Sequence, residues 1–457
     1  MIARMKMPSL VPRRKALAPV GPPLNVVLEP WVSYGVIALL LFGPLALGEV
    51  EPWSVFILEA GAAFFFVLWM IQQTSGGELK IKGSPLFIPM GIFAGLALFQ
   101  FFSHRTAYRY DTVQALRLYL AYGVLCFLVV QTLQKKTQLK VLATVFCFYG
   151  FAVALFALFQ GLAPNGKVYW IRSLSQGGAI YGPYVNHNHY AGLMEMLTPI
   201  PLALSMTSFA EGPRKTMAVA AAVLMGATIF LSGSRGGMVA FCIELLLFGV
   251  LLAKQQKKKR AILLGLGVYL FLVVGSLVWL GGAELTDRIA SITTETGKEF
   301  AGGTRLDIDR DSLQMFRMKP VLGWGLGVFP EVYPRFRSFY TNDFINQAHN
   351  DYIQLLVEMG GAGFLTMLVF IGIAYFRAGK KLKRWDTDPN GTLAVAAMIG
   401  IAGILVHSFV DFNLQIPANA ALFYVLCTVA ALEPRFPVHH RRPHLARTQS
   451  TPEMQMQ

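Results

Sequence analysis

The chain has 457 residues, of which 54% are hydrophobic and 14% are charged, and its mean hydropathy is +0.50. Soluble domains carry about 25% charged residues, so this composition excludes an ordinary soluble protein and indicates an integral membrane protein. The net charge of +15 does not indicate a nucleic-acid partner, because many basic residues stand in short clusters between apolar runs. We therefore expect membrane lipids, and no nucleic acid, among the partners.

Both ends of the chain are polar and basic. Residues 1–30 contain several prolines and have no apolar run before Trp31, so they are predicted to be a cytoplasmic tail and not a cleavable signal peptide. Residues 434–457 carry four arginines and are predicted to be a second cytoplasmic tail.

The region between the tails, 31–433, is predicted to be one all-α transmembrane domain. About 20 mostly apolar residues suffice to cross a bilayer as a helix. Windows of this kind predict a polytopic membrane protein with about twelve transmembrane helices: 31–48, 53–71, 84–102, 113–133, 138–160, 190–208, 216–232, 236–253, 261–282, 352–375, 393–412 and 418–433.

The basic residues give the direction of these spans. With the N-terminus inside, 26 of the 40 Lys and Arg residues lie in the tails and in the connections predicted to be cytoplasmic. An even number of spans then leaves two large loops on the outer side, 161–189 and 283–351, and long loops are often functional. In the second loop, the spacing of the apolar residues Leu306, Leu313, Phe316 and Met318 predicts an amphipathic helix on the membrane face from Thr304 to Met318. Gly323–Gly327 predicts a tight turn.

Cysteine and metal chemistry are not expected. The four cysteines (Cys126, Cys147, Cys242 and Cys427) fall in apolar runs without metal-ligand spacing, and we interpret all four as small core residues. The cluster Asn186–His189 has no acidic neighbour in the sequence, so no metal site is predicted there. No cofactor is expected.

Three residues of the predicted outer side could carry chemistry together: Arg235, Arg305 and His349. Guanidinium groups bind phosphate oxygens through paired hydrogen bonds, and imidazole exchanges protons near neutral pH. Small residues beside Arg235 would let backbone amides approach the same anion. This set therefore suits a diphosphate substrate at the membrane surface.

Structural roles for the same residues remain open at this point. Arg235 could be an interfacial anchor, and Arg305 could pair with Asp307 or Asp309. His349 could cap a helix or form a hydrogen bond at the membrane interface. Ionisable residues inside spans are costly, and they tend to pair with one another or to line cavities. His407 and Asp411, four residues apart, could face one another or the site, and we favour a structural polar pair.

The motifs resemble the O-antigen ligase and polymerase group of bacterial membrane glycosyltransferases. His349-Asn350, nine residues, Gly360, two residues and Gly363 fit its signature, and Ser234-Arg235-Gly236 resembles the segment of its first essential arginine. The stretch from Arg305 to Pro320 and Gly323–Gly327 is similar to its second arginine and the following turn. Further resemblance lies in 186–192 and 407–412, so the similar core covers about 180–415, including the external loop 283–351.

The resemblance implies a metal-independent glycan transfer on the periplasmic face of the bacterial inner membrane. The donor would be a glycan linked to undecaprenyl diphosphate, and the acceptor a hydroxyl of the lipid A core or of another glycan. His349 would be the general base, Arg235 and Arg305 would bind the diphosphate, and Asn350 and Asn188 would contact substrate.

The reaction within the family is not fixed by the motifs. An O-antigen ligase of lipopolysaccharide biosynthesis is favoured, whereas a polysaccharide polymerase and a protein oligosaccharyltransferase share the same residues. A secondary transporter with twelve spans is the alternative outside the family. Transporters usually have paired halves with charges near the midplane, and here the polar residues are concentrated in one late external loop.

The orientation can be tested by cysteine labelling. We expect a membrane-impermeant thiol reagent to modify Ser338→Cys but not Gln256→Cys in intact cells, because 283–351 is predicted outside and 254–260 inside. Labelling at position 256 and not at 338 would reverse the orientation and move the predicted site to the cytoplasmic face.

Overall fold

The computed structural model of the protein describes residues 23–434, except 78, 175–178, 209, 254–259, 261–262, 280–303 and 343. Within these residues the secondary structure is helical, with two isolated β-bridges and no strand. The predicted all-α class is confirmed. The first part of the external loop, 283–303, the predicted inner cluster 254–259 and most of both tails lie outside the described residues.

The α-helices follow the apolar windows closely in chain order. They are α1 (Leu24–Leu45), α2 (Pro52–Ser75), α3 (Phe87–Phe102), α4 (Arg109–Thr132), α5 (Lys136–Leu162), α6 (His187–Leu197), α7 (Pro199–Ser205), α8 (Pro213–Leu231), α9 (Arg235–Ala253), α10 (Leu263–Trp279), α11 (Thr304–Met318), α12 (Phe329–Val332), α13 (Asp351–Gly379), α14 (Pro389–His407) and α15 (Pro417–Ala431).

Among the residues that the structure describes, seven helices are long and apolar enough to cross a membrane, so the chain is a multi-pass membrane protein. They are α1, α2, α4, α5, α8, α13 (counted to Arg384) and α14, and α3, α10 and α15 are shorter apolar helices. The predicted span 190–208 is divided into α6 and α7 around Pro199, because a proline removes a helical hydrogen bond.

Ion pairs join connections that the charge pattern places on the same side of the membrane. A tail or loop predicted to be cytoplasmic contacts another such segment, and the outer loops contact each other. The pairs are Lys135–Glu29 (2.6 Å) and Lys136–Asp388 (3.5 Å) on the predicted inner side, and Arg172–Glu51 (2.7 Å) on the predicted outer side.

Helix α14 lies at the centre of the bundle, with 83% of its apolar window buried. Glycines let its backbone approach its neighbours, as is usual where membrane helices pack without a hydrophobic driving force. A Cβ atom at Gly400 would lie 2.8 Å from the Met196 carbonyl oxygen of α6. Close packing of α6 on α14 brings their ends, His187 and His407, to the same side of the bundle.

The outer part of the chain is fastened to a break in α13. The helix is interrupted at Gly360, whose φ is +64°. The predicted turn docks against this break: the Trp324 amide donates to the Val357 carbonyl (2.9 Å) and the Gly325 amide to the Glu358 carbonyl (3.0 Å). The residues between the signature histidine and its glycine therefore form a short helical segment with a defined place in the loop.

Glycine is required on both sides of this contact. Gly323 has a φ of +70°, and a Cβ there would lie 2.4 Å from the Glu358 carbonyl oxygen. At Gly360 an added Cβ would lie 2.3 Å from the Val321 carbonyl oxygen. The tight turn predicted at Gly323–Gly327 is confirmed, and its function is to dock on α13.

Helix α11 has the predicted bounds, Thr304–Met318, but a different buried face. Leu306 and Leu313, which contributed to the predicted apolar face, are exposed. Ile308 and Met315 are buried instead, in a cluster formed with α12 and the start of α13. The buried face of α11 therefore packs against the rest of the loop and the start of α13.

The prediction that all four cysteines are core residues is wrong at one position. Cys126, Cys147 and Cys427 are buried, whereas Cys242 is exposed. It lies on the face of α9 that points away from the bundle, a position that the sequence alone does not distinguish because core and outward-facing residues are both apolar in a membrane helix.

Alanine at Gly360 tests the docking of the outer loop on α13. We expect Gly360→Ala to lower the free energy of unfolding by about 1–3 kcal/mol, because alanine is strained at positive φ and its Cβ overlaps the docked turn. The thermal unfolding midpoint of the purified protein measures this. Gly372→Ala in the same helix is the control, since nothing lies within 4 Å of its added Cβ. Equal midpoints for the two variants would show that the break does not depend on glycine.

Candidate functional site

The predicted site residues are grouped around one short piece of chain, His407 to Phe412, which we call the 407–412 segment. It begins at the last residue of α14 and leads into the 3₁₀ helix Asn413–Gln415. It also receives a backbone hydrogen bond from α13, since the Asp351 amide donates to the Ser408 carbonyl (3.0 Å).

His349 is held in an unusual backbone conformation just before α13. Its φ is +53°, in the left-handed region that costs a residue with a side chain energy. On one side the Ala348 amide donates to Gln354 Oε1 (3.0 Å). On the other, Asn350 Oδ1 accepts from the amides of the first turn, at 3.1 and 3.2 Å. Asn350, and not His349, is therefore the N-cap of α13, so the capping interpretation of His349 is wrong.

The imidazole of His349 packs on the 407–412 segment. Its ring stands edge-to-face on Phe412, with the ring centres 4.8 Å apart, and His189 packs on Phe412 at the same distance. The Nδ1 atom of His349 is buried and has no hydrogen-bond partner among the described residues. Burial lowers the pKa of His349, the Asp411 carboxylate raises it, and Arg305 and His189 lower it; the net direction is down. The side chain is therefore a neutral base at neutral pH.

Asp411 is the buried acid of the segment. The Asn188 amide group donates to Oδ2, the Phe412 amide donates to Oδ1 (2.8 Å), and His189 Nε2 lies 3.6 Å from Oδ1. Burial alone would raise the pKa of Asp411, but the neighbouring His189 and His407 and the hydrogen bond from the Phe412 amide outweigh it and hold the pKa well below its usual value. The carboxylate is thus ionised next to the two histidines.

The Asn186–His189 cluster forms the start of α6 and places Asn188 and His189 beside Asp411. Asn186 caps α6 by accepting from the Asn188 amide (2.9 Å), and His187 Nδ1 lies 2.8 Å from the Ser232 carbonyl oxygen. Burial lowers the pKa of His187, and this hydrogen bond opposes the shift. In the described part of the chain no group of three or more His, Cys, Asp or Glu residues is placed to hold a metal ion.

Arg305 reaches the segment from α11. Its Nη1 donates to the Val410 carbonyl (3.1 Å). Asp307 is paired with Arg310 instead, at 3.6 Å. Burial raises the pKa of Asp309 to about 6, and Arg305 opposes this shift. The first turn of the loop helix therefore lies over the end of α14.

Arg235 is the first residue of α9 and is half-buried. The next residue, Gly236, packs directly on the 407–412 segment. A Cβ atom at Gly236 would lie 2.6 Å from His407 Cδ2 and 2.9 Å from Val410 Cγ2. The small residues beside Arg235 thus permit close packing of α9 on the segment. The predicted approach of backbone amides to an anion stays a prediction.

The predicted pairing of His407 with Asp411 is wrong. His407 Nδ1 lies 2.9 Å from Glu195 Oε1, whereas Asp411 contacts His189 and Asn188. The spacing of four residues does not bring the two side chains together because α14 ends at His407. The His407 ring and the Asp411 carboxylate instead each contact residues of α6.

Arg235, Arg305 and His349 are brought to one place by the fold, and their roles stay predictions. Sequence reasoning did not assign His189, Glu195 or Phe412 to this place. Glu195 carried a signal, since a carboxyl group in an apolar span needs a partner. Phe412 carried none, because an aromatic residue at a span end is common. Two guanidinium groups, a neutral imidazole and a buried carboxylate can together bind an anion and accept a proton.

The family described as O-antigen ligase matches residues 220–368, which include Arg235, Arg305 and His349. The resemblance carried by the motifs is confirmed, because both the match over 220–368 and the similar protein described next support the O-antigen ligase and polymerase family. The chain is also similar to the exopolysaccharide production protein ExoQ of Rhizobium meliloti (strain 1021), with 21% identity over 187 residues. That similarity covers 39% of this chain and 41% of the relative, so the chain spans about two fifths of the protein it matches.

The protonation of His349 can be measured directly. We expect the neutral imidazole to persist below its ordinary pKa of about 6.5, and Asp411→Asn to move its titration to still lower pH, because the carboxylate favours the charged ring. The rate at which diethylpyrocarbonate modifies His349, followed by mass spectrometry against pH, reports the neutral form. A midpoint above 6.5, or an upward shift in Asp411→Asn, would contradict the described electrostatics.

Proposed function

We propose that the protein is an O-antigen ligase-like glycosyltransferase that moves a glycan from a lipid diphosphate to an acceptor hydroxyl. The observation that carries the proposal is the attachment of His349, Arg305 and the Arg235 turn to the 407–412 segment. The donor is a glycan on undecaprenyl diphosphate, which supplies the driving force in its glycosyl diphosphate bond. The acceptor is a hydroxyl group of the lipid A core.

The proposed chemistry is a single displacement. The neutral His349 takes the proton of the acceptor hydroxyl, a contribution of about 10²–10⁴-fold in rate. The acceptor oxygen forms a bond to the anomeric carbon while the bond from that carbon to the diphosphate oxygen breaks. The lipid diphosphate leaves with the bonding electron pair, and the proton passes from the imidazole to water or to the diphosphate.

Arg235 and Arg305 bind the diphosphate and stabilise the charge that develops on its leaving oxygen. A guanidinium group suits this task because it donates two parallel hydrogen bonds and keeps its charge. Asp411 acts one step back, since its ionised carboxylate faces His189 and favours the protonated form of His349. Asn188 donates a hydrogen bond to Asp411. We therefore propose that Asn188 positions Asp411, which supports the base, in preference to a direct contact with substrate.

The loop contacts support a placement of this site on the periplasmic face of the inner membrane. Twelve crossings, with both termini in the cytoplasm, agree with the charge pattern and with the ion pairs between loops of one predicted side. The concentration of the ionisable groups at one end of the bundle favours a surface reaction over a transporter, whose substrate site would lie near the midplane.

A second candidate reaction, polymerisation of a polysaccharide, is favoured by the similarity to a protein named for exopolysaccharide production. The two differ in the acceptor. Deletion of the gene with analysis of surface glycans separates them: loss of long chains with accumulation of lipid-linked polymer supports a ligase, and products with a single repeat support a polymerase. Unchanged surface glycans would contradict both.

The arginines give the sharpest test of the site. Arg235→Lys and Arg305→Lys should each reduce the transfer rate by roughly thirty- to a thousand-fold, because lysine keeps the charge but loses the paired hydrogen bonds, a loss of about 2–4 kcal/mol. His349→Ala should abolish transfer. The assay measures glycan transfer by purified variants that unfold at the temperature of the unaltered protein.

Arg335→Lys and Arg337→Lys are the matched controls, because both arginines are exposed in the same loop and lie outside the 407–412 contacts. They should change the rate little. Equal losses at all four arginines would mean that the general charge of the loop, and not a diphosphate site, explains the effect. Near-normal transfer by His349→Ala would remove the base from the mechanism.

A further inference from the structure

Beneath the first turn of α9 lies a buried polar chain that the proposed reaction does not use. Ser234, Glu195 and His407 are each at most 1% exposed. His407 Nδ1 lies 2.9 Å from Glu195 Oε1, and its Nε2 lies 3.5 Å from Ser234 Oγ. Three buried polar side chains inside an apolar bundle are expensive, so their arrangement calls for a function.

This row of buried polar side chains ends at Ser234, the residue before Arg235. Ser234 Oγ accepts a hydrogen bond from the Gly237 amide (3.2 Å) and thereby caps α9. The same oxygen faces the imidazole. The Ser234 hydroxyl group, one residue before Arg235, therefore both contacts the His407 imidazole and caps α9.

The two glycines after Arg235 let the helix rest directly on this chain. A Cβ atom at Gly236 would lie 2.6 Å from His407 Cδ2. One at Gly237 would lie 3.0 Å from Glu195 Oε1 and 2.7 Å from Ala191 Cβ. Such distances leave no room for a side chain, so the position of the first turn of α9 is set by the imidazole and carboxylate below it.

We propose that His407 and Glu195 are positioning residues for Arg235: the imidazole, oriented by the carboxylate, supports Ser234 and the glycine turn and so fixes where the guanidinium group meets the lipid diphosphate. Glu195 holds His407 through Nδ1, which turns Nε2 of the ring toward the Ser234 hydroxyl oxygen. Neither residue touches the reacting atoms. The inference rests on the proposed function, since it takes Arg235 to bind the diphosphate.

The test compares His407→Gln and Gly236→Ala with Gly372→Ala, a control with open space around its added Cβ. Farnesyl diphosphate serves as a soluble competitor of the lipid donor. We expect the two test variants to raise the donor KM and the inhibition constant of farnesyl diphosphate by about ten- to a hundred-fold, because a misplaced binding group loses its alignment. The control should leave both constants unchanged.

A double-mutant cycle separates positioning from general loss of structure. If His407 acts through Arg235, then His407→Gln should have little further effect on the inhibition constant in the Arg235→Lys background. Multiplying losses would show that His407 acts independently and would overturn the inference. Because Gly236→Ala keeps both side chains of the buried pair and changes only their contact with α9, it gives a second readout if His407→Gln does not fold.

The outcomes also separate this inference from the function on which it rests. If Arg235→Lys itself binds farnesyl diphosphate and transfers glycan normally, the diphosphate role of Arg235 fails. If Arg235→Lys is impaired while His407→Gln and Gly236→Ala behave as the unaltered protein, the diphosphate role stands and the positioning role is overturned.

Discussion

The ionised carboxylate of Asp411, buried among histidines, is the interaction on which the outer end of the bundle depends. A carboxylate is costly in an apolar interior unless it is hydrogen-bonded and faces positive charge. Asn188 donates a hydrogen bond to Asp411 from α6, His189 lies beside it on the same helix, and the Phe412 amide donates from the segment itself. Satisfying this one group brings α6 to the end of α14. The aromatic ring of Phe412 then separates His189 from His349 and sets the place of the base.

The 407–412 segment connects parts of the chain that are far apart in sequence. Arg305 reaches it from the external loop, Gly236 packs on it from α9, and the start of α13 bonds to Ser408. Each contact is modest by itself, because a single hydrogen bond contributes only about 0.5–1.5 kcal/mol net. Together they leave the charged side chains little freedom, and a site with little freedom is what diphosphate binding and proton transfer both need.

The sequence predicted the helices well and the pairing of their polar residues poorly. Helix α11 was predicted with its observed bounds, because apolar periodicity is a local property. Its buried face was not, since burial depends on α12 and α13, which the periodicity does not describe. The same limit explains His407: its true partner, Glu195, is 212 residues away, whereas spacing arguments compare neighbours. His349 and the arginines were found because their chemistry is unusual beside a membrane, and the supporting Phe412 was not, because its chemistry is ordinary.

The break at Gly360 divides α13 into two parts that pack against different surroundings. Below it, the helix is held by the apolar bundle; above it, the nine residues from Asp351 to Met359 are fastened to the docked glycine turn and move with the outer loop. If a change in bilayer thickness tilts the lower part, the non-helical Gly360 is the place where the angle between the two parts can change. The His349 imidazole then keeps its position relative to the outer loop and Arg305.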